Sequence, residues 1–196
     1  MTQVSIAELV AGVKQGKVIS FPTDTVPALA ASPENAESIF TIKQRSTNKP
    51  LILMAGESEQ IWNFVKGSDL EYENWQRVAD KYWGGALTLV LPASAAVPSC
   101  MNPNDPTTIG VRVPKSDIAC SILAKTGPLA TTSANLSGKP PLQTMQEIEA
   151  SFPDVLTLAS AAYDSNTPAI GIPSTVAKWD GKGWQILRQG AVNLNI

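Results

Sequence analysis

Pro128-Leu129-Ala130-Thr131-Thr132-Ser133-Ala134-Asn135-Leu136-Ser137-Gly138 passes from a short apolar run into small hydroxyl and amide side chains and closes on glycine. The apolar part predicts the end of a buried strand. The side chains of Thr131, Thr132, Ser133, Asn135 and Ser137 each donate and accept hydrogen bonds without bulk or charge, so such a loop can hold a polar ligand closely. It can equally fold as a turn whose side chains bond their own backbone. Similar loops elsewhere decide between the two readings.

Working toward the N-terminus, Ser5-Ile6-Ala7-Glu8 is a capping-box pattern that predicts a first helix ending at Gly16. Val18-Ile19-Ser20-Phe21 predicts a strand that breaks at Pro22 into Thr23-Asp24-Thr25, and ligand groups in α/β proteins often sit at such a strand end. Ser32-Pro33 predicts the start of a second helix, which runs out into Lys43-Gln44-Arg45 and Lys49-Pro50 before Leu51-Ile52-Leu53-Met54 resumes as a strand. Those cations suit the phosphates of a nucleotide, and they also complement the dipole of a helix C-terminus. A short helix capped by Ser58 is expected, then a longer one opened by the box Ser68-Asp69-Leu70-Glu71, with Leu70, Trp75, Val78 and Tyr82 on one side.

Leu87 to Leu91 and Thr107 to Val113 predict strands on either side of a long Pro-, Ser- and Asn-rich loop, 92–106. The second of these strands carries Arg112 among apolar neighbours, where an arginine is costly unless a ligand anion or an internal carboxylate answers it. Ser116 predicts a helix ending at Gly127, Thr144 caps another, and Val155 to Leu158 reads as a strand. Ser174-Thr175 begins a final hairpin that turns at Asp180-Gly181 and ends in Arg188.

At 196 residues, 43% of them hydrophobic and 16% charged, the chain predicts one globular domain, 1–196. Early strand–helix alternation closed by a hairpin predicts a twisted mixed parallel and antiparallel α/β sheet with flanking helices. The net charge of −2 argues against nucleic-acid binding through bulk charge. The absence of histidine removes His-dependent zinc sites and Ser–His or Cys–His nucleophiles. Cys100 and Cys120 lack CxxC spacing, and two thiols are expected in preference to the alternative, a Cys100–Cys120 disulfide. No signal-peptide pattern and no apolar run of about 18 residues is present, so a cytoplasmic protein is expected.

Taken together, Pro22-Thr23-Asp24-Thr25-Val26, Lys43-Gln44-Arg45 with Lys49-Pro50-Leu51, and Trp83-x-Gly85-x-Leu87-Thr88 form an ordered motif set. It continues with Val111-Arg112-Val113-Pro114, Ser133-Ala134-Asn135-x-Ser137-Gly138, Pro173-Ser174-Thr175 and Leu187-Arg188-x-Gly190. In this order the chain closely resembles the YrdC-like threonylcarbamoyl-AMP synthases. The resemblance implies a concave basic cavity and a nucleotidyltransferase that converts L-threonine, bicarbonate or CO2 and ATP, usually with Mg2+, into threonylcarbamoyl-AMP and pyrophosphate for tRNA modification. It assigns ATP contacts to Arg45, Lys49, Thr108, Ser133, Asn135, Pro141 and Arg188, and threonine contacts to Thr25, Met54, Arg112, Thr131 and Ser174. Arg45, Lys49 and Arg112 would carry the catalytic charge. It further implies RNA, tRNA and tRNA-modification proteins as partners, with double-stranded RNA binding among the family's properties.

The chain departs from the family pattern where Pro27-Ala28 replaces the usual Tyr-Gly, Met54 a common histidine and Gly84 a proline. Two other readings use the same residues: an RNA-binding or ribosome-associated module without turnover, and a carbamoyl-adenylate enzyme with another donor.

Overall fold

The computed structural model describes residues 2–163 and 169–195. Ten strands form one sheet: β1 (Gln3–Val4), β2 (Ile19–Phe21), β3 (Ala28–Ala31), β4 (Ile52–Met54), β5 (Leu87–Pro92), β6 (Thr108–Arg112), β7 (Leu129–Ser133), β8 (Leu156–Leu158), β9 (Thr175–Trp179) and β10 (Trp184–Arg188). Their order is β1-β8-β2-β3-β7-β4-β6-β5-β9-β10. β1/β8, β2/β8, β4/β6 and β5/β9 are parallel, and the remaining neighbours are antiparallel. The helices are α1 (Ile6–Lys14), α2 (Ala36–Lys43), α3 (Asp69–Tyr82), α4 (Asp117–Thr126) and α5 (Met145–Ser151).

Ser5, Ser68 and Thr144 form complete capping boxes with Glu8, Glu71 and Glu147, as their spacing predicts. The strand Ala28–Ala31 was not expected from its residues. Alanine favours helices, but all four positions are buried in the middle of the sheet, where small side chains let layers approach on both faces. The helix expected after Ser58 is instead two 3-10 turns, Ser58–Gln60 and Trp62–Phe64, without a side-chain cap. Val65 bridges to Ala93 and draws the chain out of helical geometry. Leu70 is 77% exposed, off the buried face of α3, because five residues on from it Trp75 has rotated about 140° around the axis.

Side chains on one face of the central strands open onto a cavity. A cross-strand row runs Ala30, Thr131, Ile52, Gly110, Val90, Lys178 over β3, β7, β4, β6, β5 and β9. Gly110 keeps the middle of that floor free of a side chain. A Cβ there would only touch Ile52 and Thr88, at 3.4 and 3.5 Å, so the glycine concerns space above the sheet and not strain within it.

Candidate active site

The cavity has a volume of about 460 Å³, and Arg45, Arg112, Ser133 and Arg188 all line it, although they lie far apart in sequence. Thr25, Met54, Thr108, Thr131 and Ser174 join them. Lys49, Asn135 and Pro141 are not part of the wall. Lys49 is exposed. Its carbonyl, with that of Pro50, accepts from Arg45 Nε and Nη2 at 2.9 and 3.1 Å, so the Lys49 backbone holds the arginine that faces the cavity. Asn135 lies behind Ser133, where its Oδ1 accepts from Ser133 Oγ at 2.6 Å and from Lys43 Nζ at 3.2 Å. Its amide nitrogen spans the loop to the carbonyls of Leu136 and Lys139, both at 2.8 Å. Pro141 directs its carbonyl to Gln143 Nε2.

Arg112 is buried and held from three sides. It donates from Nε to the Gly85 carbonyl at 3.2 Å, from Nη1 to Thr25 Oγ1 at 2.9 Å and from Nη2 to Asp24 Oδ1 at 2.7 Å. The internal carboxylate left open by the sequence is therefore Asp24, and Arg112 reaches the cavity as well. Burial pulls its guanidinium below the usual arginine range, and Asp24 opposes that pull. A guanidinium has five N–H donors, so two remain for a ligand after these three contacts.

Ser174 lines the same cavity from the position just before β9. Its Oγ shares a hydrogen bond with Thr88 Oγ1 at 2.8 Å, and its carbonyl accepts from Arg188 Nε and Nη2 at 3.2 and 2.8 Å. At the other end of β6, Thr108 Oγ1 donates to Asp105 Oδ2 and accepts from Asn102 Nδ2, both at 3.2 Å.

Of two further lysines in this region, Lys178 was not singled out from the sequence, and Lys43 was read there only as one of three cations suited to phosphates. Lys43 is fully buried, donates to the Ser133 carbonyl and Asn135, and is pushed down to about 7 by burial and by neighbouring Arg45 and Lys49. Its signal was legible: Ala36, Ile39, Phe40 and Lys43 follow the spacing of a single buried helix face. Lys178 lines the cavity with Ser174 and Val176, in strict alternation along β9. Asp105, whose carboxyl is held low by Thr107 and Thr108 and more weakly by Lys178, is the one carboxylate among the described lining residues.

The Sua5/YciO/YrdC family model, described as "Telomere recombination", matches residues 12–190. The chain belongs to this family. A Sua5/YciO/YrdC relative from Vibrio campbellii, named threonylcarbamoyl-AMP synthase, is 34% identical over 93% of this chain and 97% of its own length. One of the same name from Vibrio parahaemolyticus is 36% identical over 90% and 94%. Among solved structures, Pyrococcus abyssi Sua5 complexed with L-threonine superposes with a TM-score of 0.82 at 30% identity, over 94% of this chain and 54% of that one. The mixed sheet with flanking helices expected from the sequence is the fold of these family members. Cys100 and Cys120 are free thiols. No helix among the described residues is long and apolar enough to cross a membrane.

Proposed function

We propose that this protein is a nucleotidyltransferase that makes threonylcarbamoyl-AMP from L-threonine, bicarbonate or CO2 and ATP for tRNA modification. The observation that carries the reading is the convergence of Arg45, Arg112, Ser133 and Arg188 on one cavity with Thr25, Thr131 and Ser174. The family relatives named threonylcarbamoyl-AMP synthase support it.

The two free N–H groups of Arg112 would take the threonine carboxylate, with the hydroxyls of Thr25 and Ser174 beside it. Arg45 and Arg188 would hold the triphosphate, with Ser133 and Thr108 offering neutral hydroxyls. Lys49 is left with a backbone role. The threonine amine adds to CO2, forming the N–C bond and losing a proton. A carbamate oxygen then attacks the α-phosphorus, and the bond to the leaving pyrophosphate breaks. No protein nucleophile is needed, so the residues act by positioning and by stabilising developing charge.

Among the described residues no group of three or more potential carboxylate, thiol or imidazole ligands is clustered, so Mg2+ would be held chiefly by the phosphates it accompanies. Incubation with ATP, L-threonine and bicarbonate should release pyrophosphate only when threonine is present. Salt-sensitive RNA binding without release would instead favour an RNA-binding module, and turnover with carbamoyl phosphate in place of threonine and bicarbonate a different donor.

A further inference from the structure

Ser174, just before β9, and Thr175, its first residue, point to opposite sides. Ser174 faces the cavity, and the side chain of Thr175, fully buried, falls on the opposite side. The Thr175 hydroxyl meets the C-terminal segment 189–195. It accepts from Gly190 N at 3.0 Å and Val192 N at 3.2 Å, and donates to the Val192 carbonyl at 2.5 Å. Ala191 N donates to the Pro173 carbonyl at 3.1 Å. Gly190 packs so closely that a Cβ on it would lie 2.3 Å from Pro173 O and 2.5 Å from Ser174 O, both backbone atoms that cannot rotate away. The far end of the segment is tied to α3, where Asn195 N donates to Tyr82 Oη at 3.1 Å and the Asn195 carbonyl accepts from Lys81 Nζ at 3.2 Å.

We infer that the segment Gln189–Asn195 is a strap that positions Ser174 and Arg188 for ligand, with the Thr175 hydroxyl as its positioning residue. The segment leaves β10 directly after Arg188, whose guanidinium holds the Ser174 carbonyl from one side while Gly190 and Ala191 press on Pro173 and Ser174 from the other. Pro173–Ser174 is thereby gripped between two parts of the same C-terminal run. This position is set by hydrogen bonds to a surface segment whose apolar contact with the core is through Leu194, and loosening the strap should displace the two cavity residues before it unfolds the sheet.

The inference rests on the proposed function for the identity of its ligands, and its test separates the two. Wild type, Thr175→Val, Thr175→Ser and the milder Tyr82→Phe are compared by calorimetric binding of ATP and of L-threonine, by KM and kcat for each substrate, and by amide exchange across 173–176 and 189–195. Thr175→Val should speed exchange of Gly190 and Val192 and weaken both ligands about tenfold, mainly in KM. Thr175→Ser, which keeps the hydroxyl, should restore affinity, and Tyr82→Phe should give a smaller loss in the same direction. Faster exchange in Thr175→Val with wild-type affinity for both ligands would overturn the strap. If Thr175→Val does not fold, Tyr82→Phe decides in the same way. Wild-type protein that binds ATP but not threonine would overturn the threonine assignment, leaving the strap to be judged on ATP affinity through Arg188. Wild-type protein that binds neither would overturn both.

Discussion

Asp24, in the loop between β2 and β3, and Arg112, at the end of β6, form an ion pair of 2.7 Å with only 14% and 5% of their side chains exposed. It joins two segments that carry facing parts of the cavity, so the arginine is fixed before any ligand arrives. Removing one partner of a buried pair leaves an uncompensated charge, which costs more than the intact pair contributes.

Asp24→Ala should therefore destabilise the protein by about 3 kcal/mol, lowering the melting temperature by roughly 10 °C in thermal unfolding. Arg112→Lys keeps the charge but loses the planar fork, so threonine KM should rise about tenfold while ATP KM changes less than about threefold in pyrophosphate-release assays. Equal loss for both substrates would remove Arg112 from the threonine side.

Lys43 titrates at about 7 in the folded chain against the ordinary 10.5. Between those values the unfolded chain binds the extra proton, so the destabilisation from Lys43 is complete below about 7 and fades as pH rises toward 10.5. Urea midpoints should climb from pH 7 to 9, and Lys43→Met should flatten that climb. A triphosphate bound beside Ser133 favours the ammonium form, so ATP binding at pH 8 should take up protons, visible as a buffer-dependent calorimetric enthalpy.

Arg45 and Lys49 separate on geometry. Arg45→Ala should raise ATP KM about tenfold, whereas Lys49→Ala leaves the carbonyl that holds Arg45 in place and should change it less than about threefold. A large loss for Lys49→Ala in steady-state kinetics would return its ammonium to the phosphate site.

All five tryptophans lie in one aromatic chain with Tyr72: Trp83 stacks on Trp62 at 5.3 Å, and Trp62, Tyr72, Trp75, Trp179 and Trp184 follow in sequential contact. Trp75 is fully buried at its centre, so Trp75→Ala should cost about 3–5 kcal/mol in fluorescence-monitored unfolding. None of these tryptophans lines the cavity, so KM values should stay near wild type where the variant is folded.

The capped helices were legible because a cap is a local pattern: Ser or Thr, then Glu three residues on, meets its own backbone whatever the rest of the chain does. The Ala28–Ala31 strand was not, because its placement depends on pairing with β2 and β7. The first of these partners ends seven residues earlier and the second begins about a hundred residues later. The site divides in the same way. Arg112 announced itself as a charge in an apolar strand, but whether a carboxylate or a ligand answered it depended on where Asp24 came to lie.

Residue types and their spacing by themselves determined the capped helices, the hydroxyl-bearing strand ends, the arginines and the family to which their order belongs, because these follow from contacts within a few residues and from motif order. Only the tertiary structure decided that Lys49, Asn135 and Pro141 stand off the wall, that Lys43 is buried behind Ser133 and Lys178 lines the cavity, and that the C-terminal segment packs on Pro173 and Ser174. Those facts depend on how segments distant in the chain come together, and for Lys178 on strand register, where a one-residue slip would turn its side chain to the opposite face.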